Sequence, residues 1–166
     1  MIGTREHIRI GPLEIRFLLE GTATAGSLAM FEFDVPANAR VPIAHSHDAY
    51  EETIYGLKGV LTWTVDGRVH DVGPGEVQCI PRGAVHRFDN TSGADTTMLA
   101  VVTPGVLSPD YFRELAALAA AAVALGGGIG WILGPQAPAA EASQVQAVER
   151  EMTTGTAAPR LAAMAS

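Results

Sequence analysis

Cysteine is nearly absent: Cys79 is the single one in 166 residues. One thiol excludes an intrachain disulfide and any thiolate-rich zinc site. It suits a reducing compartment, so a cytoplasmic location is expected. Lysine is as scarce, with Lys58 the lone example among eleven basic residues set against eighteen acidic ones. A formal net charge of −7 and the lack of any basic stripe argue against a nucleic-acid partner. Signal-peptide-like apolar sequence is missing from Met1 to Arg9. Residues 115–133 carry no charge, but eleven of those positions are alanine or glycine, which supply little transfer energy. An alanine-rich helix packed on the body of the protein is expected there, not a membrane span. What remains is 48% hydrophobic and 17% charged, the balance of a globular chain long enough for one domain and an extension.

Residues 11–105 read as short strands and turns. Leu13–Leu19 and Ser27–Val35 are rich in strand formers. Further strands are expected over Arg40–His47, Thr53–Leu57, Val60–Val65, Arg68–Val72, Val77–Ile80, Val85–Asp89 and Thr96–Thr103. Asp66-Gly67 is the strongest hairpin signal in the chain. Strands this short, with a turn about every ten residues, point to an all-β sandwich or barrel. The character changes at Pro104-Gly105. Ser108, Pro109 and Asp110 suit a helix start, and a helix should run to about Leu125, before Gly126-Gly127-Gly128. The expected organisation is a β-barrel over 1–105, a helical extension over 106–152 with a second helix near Ala142–Glu151, and a tail over 153–166.

Chemistry concentrates between Val41 and Asn90, which hold four of the five histidines, three of them inside two turn-punctuated blocks. His45 and His47 are two apart, so on a strand both imidazoles project from one side. Asp48-Ala49 can turn the chain, returning a carboxylate at Glu51 or Glu52 on the adjoining strand. His86 starts a different strand, past the Pro81-Arg82-Gly83 turn. Imidazoles with one carboxylate suit divalent iron, manganese, nickel, copper, cobalt or zinc, and not calcium or magnesium.

These blocks resemble the two motifs of the cupin superfamily, small double-stranded β-helix (jelly-roll) barrels. The first motif is matched by His45-Ser46-His47, then Glu52, six residues and Gly59; Ala39 stands where the family has a lead-in glycine. The second is matched at every position by Gly75, Pro81, Gly83, His86 and Asn90. The 15 residues from Val60 to Pro74 form a short spacing, as in bacterial single-domain cupins. The resemblance implies that His45, His47, Glu52 and His86 bind one metal ion per chain inside the barrel. It also implies that Glu52, which alone fits both spacings, doubles as the catalytic base.

Other residues are weighed on their own pattern. Phe88 shares the face of His86 by period two and is expected in the pocket wall; Tyr55 and Trp63 are further pocket candidates. Glu51 should point away from Glu52, to solvent. His70 and His7 receive no role, Arg82 and Arg87 are expected to be solvated, and Cys79 is expected to be an inert residue of a buried strand. By resemblance to small oxygen-using cupins, the expected function is a quercetinase-type, dioxygenase-like oxidoreductase acting on a small aromatic or enolic substrate. The alternative is a non-oxidative isomerase or lyase using the same metal, or a barrel that binds a small molecule without chemistry. A homodimer is expected, since the apolar helix after Pro109 needs a partner surface; the same helix can instead cover the barrel mouth.

Overall fold

The computed structural model describes residues 6–124, with side chains throughout that range except at 40–43 and 122–124. Ten strands run in order: β1 His7–Ile10, β2 Leu13–Leu19, β3 Ala29–Val35, β4 Arg40–His45, β5 Glu51–Lys58, β6 Leu61–Val65, β7 Arg68–Val72, β8 Val77–Ile80, β9 His86–Asp89 and β10 Thr96–Thr103. One helix follows, α1 Pro109–Ala124. Six strands form a sheet in the order β1-β2-β3-β10-β5-β8, and four form a second sheet in the order β4-β9-β6-β7. From β3 onward the chain passes back and forth between the two sheets, with only the β6–β7 hairpin staying on one side. The result is the double-stranded β-helix, or jelly-roll, barrel expected from the sequence.

Alternation decides which residues face inward. In β3, Ala29, Phe31, Phe33 and Val35 are buried while the residues between them are not. Strands β6 and β10 repeat the pattern with Leu61, Trp63, Val65 and with Met98, Ala100, Val102. Each large apolar side chain buried this way contributes roughly 1.5–3 kcal/mol, which sets the two sheets face to face. The β6–β7 hairpin turns on Asp66-Gly67 with φ values of 47° and 76° at the two central residues. Both positive angles mark the two-residue turn that suits the twist of paired strands.

The fixed positions of the two sequence blocks have structural reasons. Asn90 is 1% exposed, and its side-chain amide donates to the carbonyls of Val35, Pro36 and Ala94 while its oxygen accepts from the Ser92 amide. It ties the end of β3 to the β9–β10 turn. Gly59 has φ 68°, and a Cβ there would lie 2.8 Å from the Asp95 carbonyl oxygen. Gly83 has φ 74°, and its N–H donates to the His47 carbonyl at 2.9 Å. One block thereby holds the backbone of the other.

Three expectations need correction. β1 was not foreseen: its four residues alternate charge with isoleucine, and only Ile8 and Ile10 turn inward. Cys79 is exposed, because β8 is the edge strand and Ile80 takes its inward position. His47 lies just beyond β4, which ends at His45. The expected second helix and the tail, at 142–151 and 153–166, lie outside the described residues. No helix among the described residues is long and apolar enough to cross a membrane.

Helix α1 closes one end of the barrel. Pro109 and Asp110 occupy its first turn, as their conformational and dipole preferences require. Phe112 packs edge-on against Phe31 at 5.2 Å between ring centroids and against Phe17 at 5.7 Å. Arg113 reaches across to Glu6, with Nε donating to Oε1 at 3.0 Å, and also meets Asp110.

Candidate metal centre

The three histidines converge. One ligand atom from each of His45, His47 and His86 lies within 4.8 Å of the others. His45 and His86 come from β4 and β9, which pair in register at these two residues. Although His47 sits past the strand end, its ring still turns to the same side as His45, at 4.8 Å between centroids. Tyr50, 2% exposed, stacks on His47 at 4.4 Å and 23° and fixes its plane. The sequence carried a signal for this residue, since Tyr50 shares the period-two face of Glu52. His86 is 2% exposed, and its Nδ1 lies 3.0 Å from the Ala84 carbonyl oxygen. That carbonyl requires an Nδ1–H donor, so Nε2 is left as the lone-pair atom facing the site.

Glu52 reaches the triad through His86, with Oε2 3.7 Å from Nε2. Burial pushes its carboxyl up to about 7. The histidines are pushed the other way. Burial, then the charges of His45 and His86, takes His47 down to about 2. Burial and His45 take His86 down to about 4, against the Ala84 hydrogen bond and the Asp66 charge, which both raise it. Desolvation dominates all three, and in each case it favours the neutral form. Neutral imidazoles are the form that binds metal. Three nitrogens and an adjacent carboxyl oxygen fit a divalent transition ion and fit calcium or magnesium poorly. His45, His47 and His86 would hold the ion, with Glu52 beside them.

Above this floor lies a cavity of about 110 Å³. Its walls include Ile15, Phe31, Phe33, Trp63 and Phe88, and its cover comes from Leu107, Tyr111, Phe112 and Leu115. The apolar face of α1 therefore lines the cavity. Trp63 packs against Phe88 at 4.7 Å, and its buried Nε1 is the one buried side-chain polar atom lacking a hydrogen-bond partner among the described residues.

Of the expected site residues, His45, His47, Glu52, His86, Phe88 and Trp63 all line this cavity. Tyr55 does not. It is 39% exposed on the outer face of β5, because Glu52 and Ile54 take the inward positions of that strand and Tyr55 alternates with them. Glu51 also points outward, 3.8 Å from Arg82. Arg87 pairs with Asp89 at 3.9 Å on the surface, and His70 is exposed. The lid residues Tyr111, Phe112 and Leu115 carried no motif and were not singled out in the sequence.

A two-sheet jelly roll with three histidines and a carboxylate in its interior is a barrel that has the ligands to hold a metal ion. Residues 31–102 match the family described as Cupin domain, a match that together with the fold supports a cupin superfamily protein. Over 92 residues it is 32% identical to quercetin 2,3-dioxygenase of Bacillus subtilis (strain 168). That match covers 55% of this chain and 26% of the relative, so the chain spans about a quarter of its length. Among solved structures, a polyketide cyclase of Streptomyces resistomycificus is 29% identical with a TM-score of 0.51, covering 66% of this chain and 85% of that one. A predicted oxalate decarboxylase of Thermotoga maritima is 25% identical with a TM-score of 0.55, covering 61% and 92%.

Proposed function

We propose that this protein is a metal-dependent, dioxygenase-like oxidoreductase acting on a small aromatic or enolic substrate. The observation that carries the reading is the position of Glu52: a largely buried carboxyl 3.7 Å from a metal-competent histidine, in a cavity walled by Phe31, Phe33, Trp63 and Phe88. When bound, the metal supplies polarisation of a substrate oxygen and, if redox-active, electron exchange with O2. The chain's own residues do the rest. Ring-bearing walls favour a flat, apolar substrate, and Tyr111, Phe112 and Leu115 add further apolar surface to them. Glu52 Oε2 takes the proton of the substrate hydroxyl or enol, and the buried setting suits it to do so near neutral pH. Tyr50 and the Ala84 carbonyl keep the His47 and His86 rings in place while this proton moves. The similarity to a quercetin dioxygenase supports the choice of chemistry.

A second reading is non-oxidative: the same base and metal can drive cyclisation or isomerisation. The similarity to a polyketide cyclase, over most of that chain's length, favours it. Oxygen-electrode measurements on protein loaded with iron, nickel, manganese or copper separate the two, using flavonols and cyclic enols as substrates. O2 uptake matched to substrate loss, abolished in Glu52→Gln, supports the oxidoreductase. Substrate conversion without O2, or with zinc, favours the second reading. No turnover in either condition sinks both and leaves a binding barrel.

A further inference from the structure

The hairpin turn between β6 and β7 lies next to the metal centre in space, although its residues belong to neither sequence block. Val65, the last residue of β6, pairs with His86. The next residue, Asp66, meets Val85 on both of that residue's backbone groups. The Asp66 N–H donates to the Val85 carbonyl at 2.8 Å, and the Val85 N–H donates to Asp66 Oδ1 at 2.9 Å. Val85 itself is 47% exposed and contributes no buried side chain. Its two neighbours are the residues that matter to the site: Ala84, whose carbonyl orients the His86 ring, and His86 itself.

We infer that Asp66 is a positioning residue for the metal centre, clamping the Ala84-Val85-His86 segment so that His86 presents Nε2 at a fixed place. This rests on the metal reading of the site. Three links act in series: the Asp66 carboxylate fixes the Val85 amide, that amide's neighbour supplies the Ala84 carbonyl, and the carbonyl fixes the tautomer and orientation of the imidazole. The clamp also explains the residue type. Position 66 needs φ near 47°, which aspartate, asparagine and glycine tolerate, but only the first two also offer an acceptor two atoms from Cα. Asp66→Gly thus removes the acceptor and keeps the turn. The bond from the residue-66 N–H to the Val85 carbonyl survives in every variant, so the hairpin retains one tie to β9.

The test is Co2+ titration of the wild type, Asp66→Gly and Asp66→Asn, read by affinity and by the visible ligand-field spectrum, with thermal melting alongside. The expected result is a roughly 10–100-fold weaker Co2+ affinity and an altered spectrum in Asp66→Gly, both restored in Asp66→Asn. A glycine variant that melts lower but binds Co2+ with wild-type affinity and spectrum overturns the inference, since the role is then purely structural. Equal losses in the glycine and asparagine variants also overturn it, because the charge and not the hydrogen bond is then responsible. A wild type that binds no Co2+ overturns the metal reading and this inference with it.

Discussion

Oε2 of Glu52 lies 3.7 Å from Nε2 of His86, and burial drives both groups to their neutral forms. In the metal-free protein between about pH 4 and pH 7 the pair is a carboxylic acid beside a neutral imidazole. A divalent cation placed among these groups reverses the preference of the carboxyl alone.

Metal binding should therefore release a proton from Glu52 in a pH-dependent way. With a carboxyl near 7, about 0.9 proton leaves at pH 6 and about 0.1 at pH 8, while His47 and His86 are already neutral at both. Calorimetric titration in buffers of differing ionisation enthalpy counts these protons. Equal release at the two pH values contradicts the assignment.

Replacing Glu52 by glutamine should stabilise the metal-free protein at alkaline pH while lowering turnover. The folded carboxyl sits above its ordinary value of 4.5, so ionising it costs stability that begins to be lost above 4.5 and is fully lost above about 7. Glutamine escapes that loss, of roughly 3 kcal/mol at pH 8, and gains nothing below pH 4.5. Denaturant melts of both proteins at pH 8 and pH 4.5 give the comparison. Turnover should fall by about 10²–10⁴-fold.

Acid should weaken the metal-free fold through the triad. The folded values of His47 and His86 lie below the ordinary 6.5, so the unfolded chain binds more protons and stability falls as pH drops through 6.5. Each histidine contributes about 1.4 kcal/mol per pH unit between 6 and 4.5, and Glu52 offsets one of the two. The net expectation for these three groups is a loss of about 1.4 kcal/mol per unit, read as a falling denaturation midpoint. His86→Ala should flatten that slope; an unchanged slope would refute the cause.

Phe112→Ala should loosen the cover. It removes ring contacts to Phe17 and Phe31 and opens the cavity beneath α1. A half-buried phenylalanine lost in this way costs about 2–3 kcal/mol, and bound metal should pass to a chelator faster. Tyr55→Ala, on the outer face, should leave the rate of metal loss as it is in the wild type.

Much of this site was legible in the sequence because its residues are tied to backbone geometry. Gly59, Gly83 and Asn90 hold turns that few other residues can make, so their spacing marks the barrel. Period two placed Phe88 beside His86 and Glu51 opposite Glu52. Applied to β5 and the residue just before it, the same rule also puts Tyr50 inside and Tyr55 outside; aromatic character alone misled at Tyr55. β1 escaped notice because two isoleucines among charges make a weak signal. The role of α1 was not legible, since an apolar helical face suits a lid and an interface equally, and only the three-dimensional placement puts Phe112 and Leu115 on the cavity wall.

The most direct test is the metal content of the purified protein beside His86→Ala prepared identically. About one transition-metal ion per chain in the wild type, lost in the variant, is the predicted result. A wild type that takes up no metal even after reconstitution, or a variant that keeps the full amount, would contradict the account.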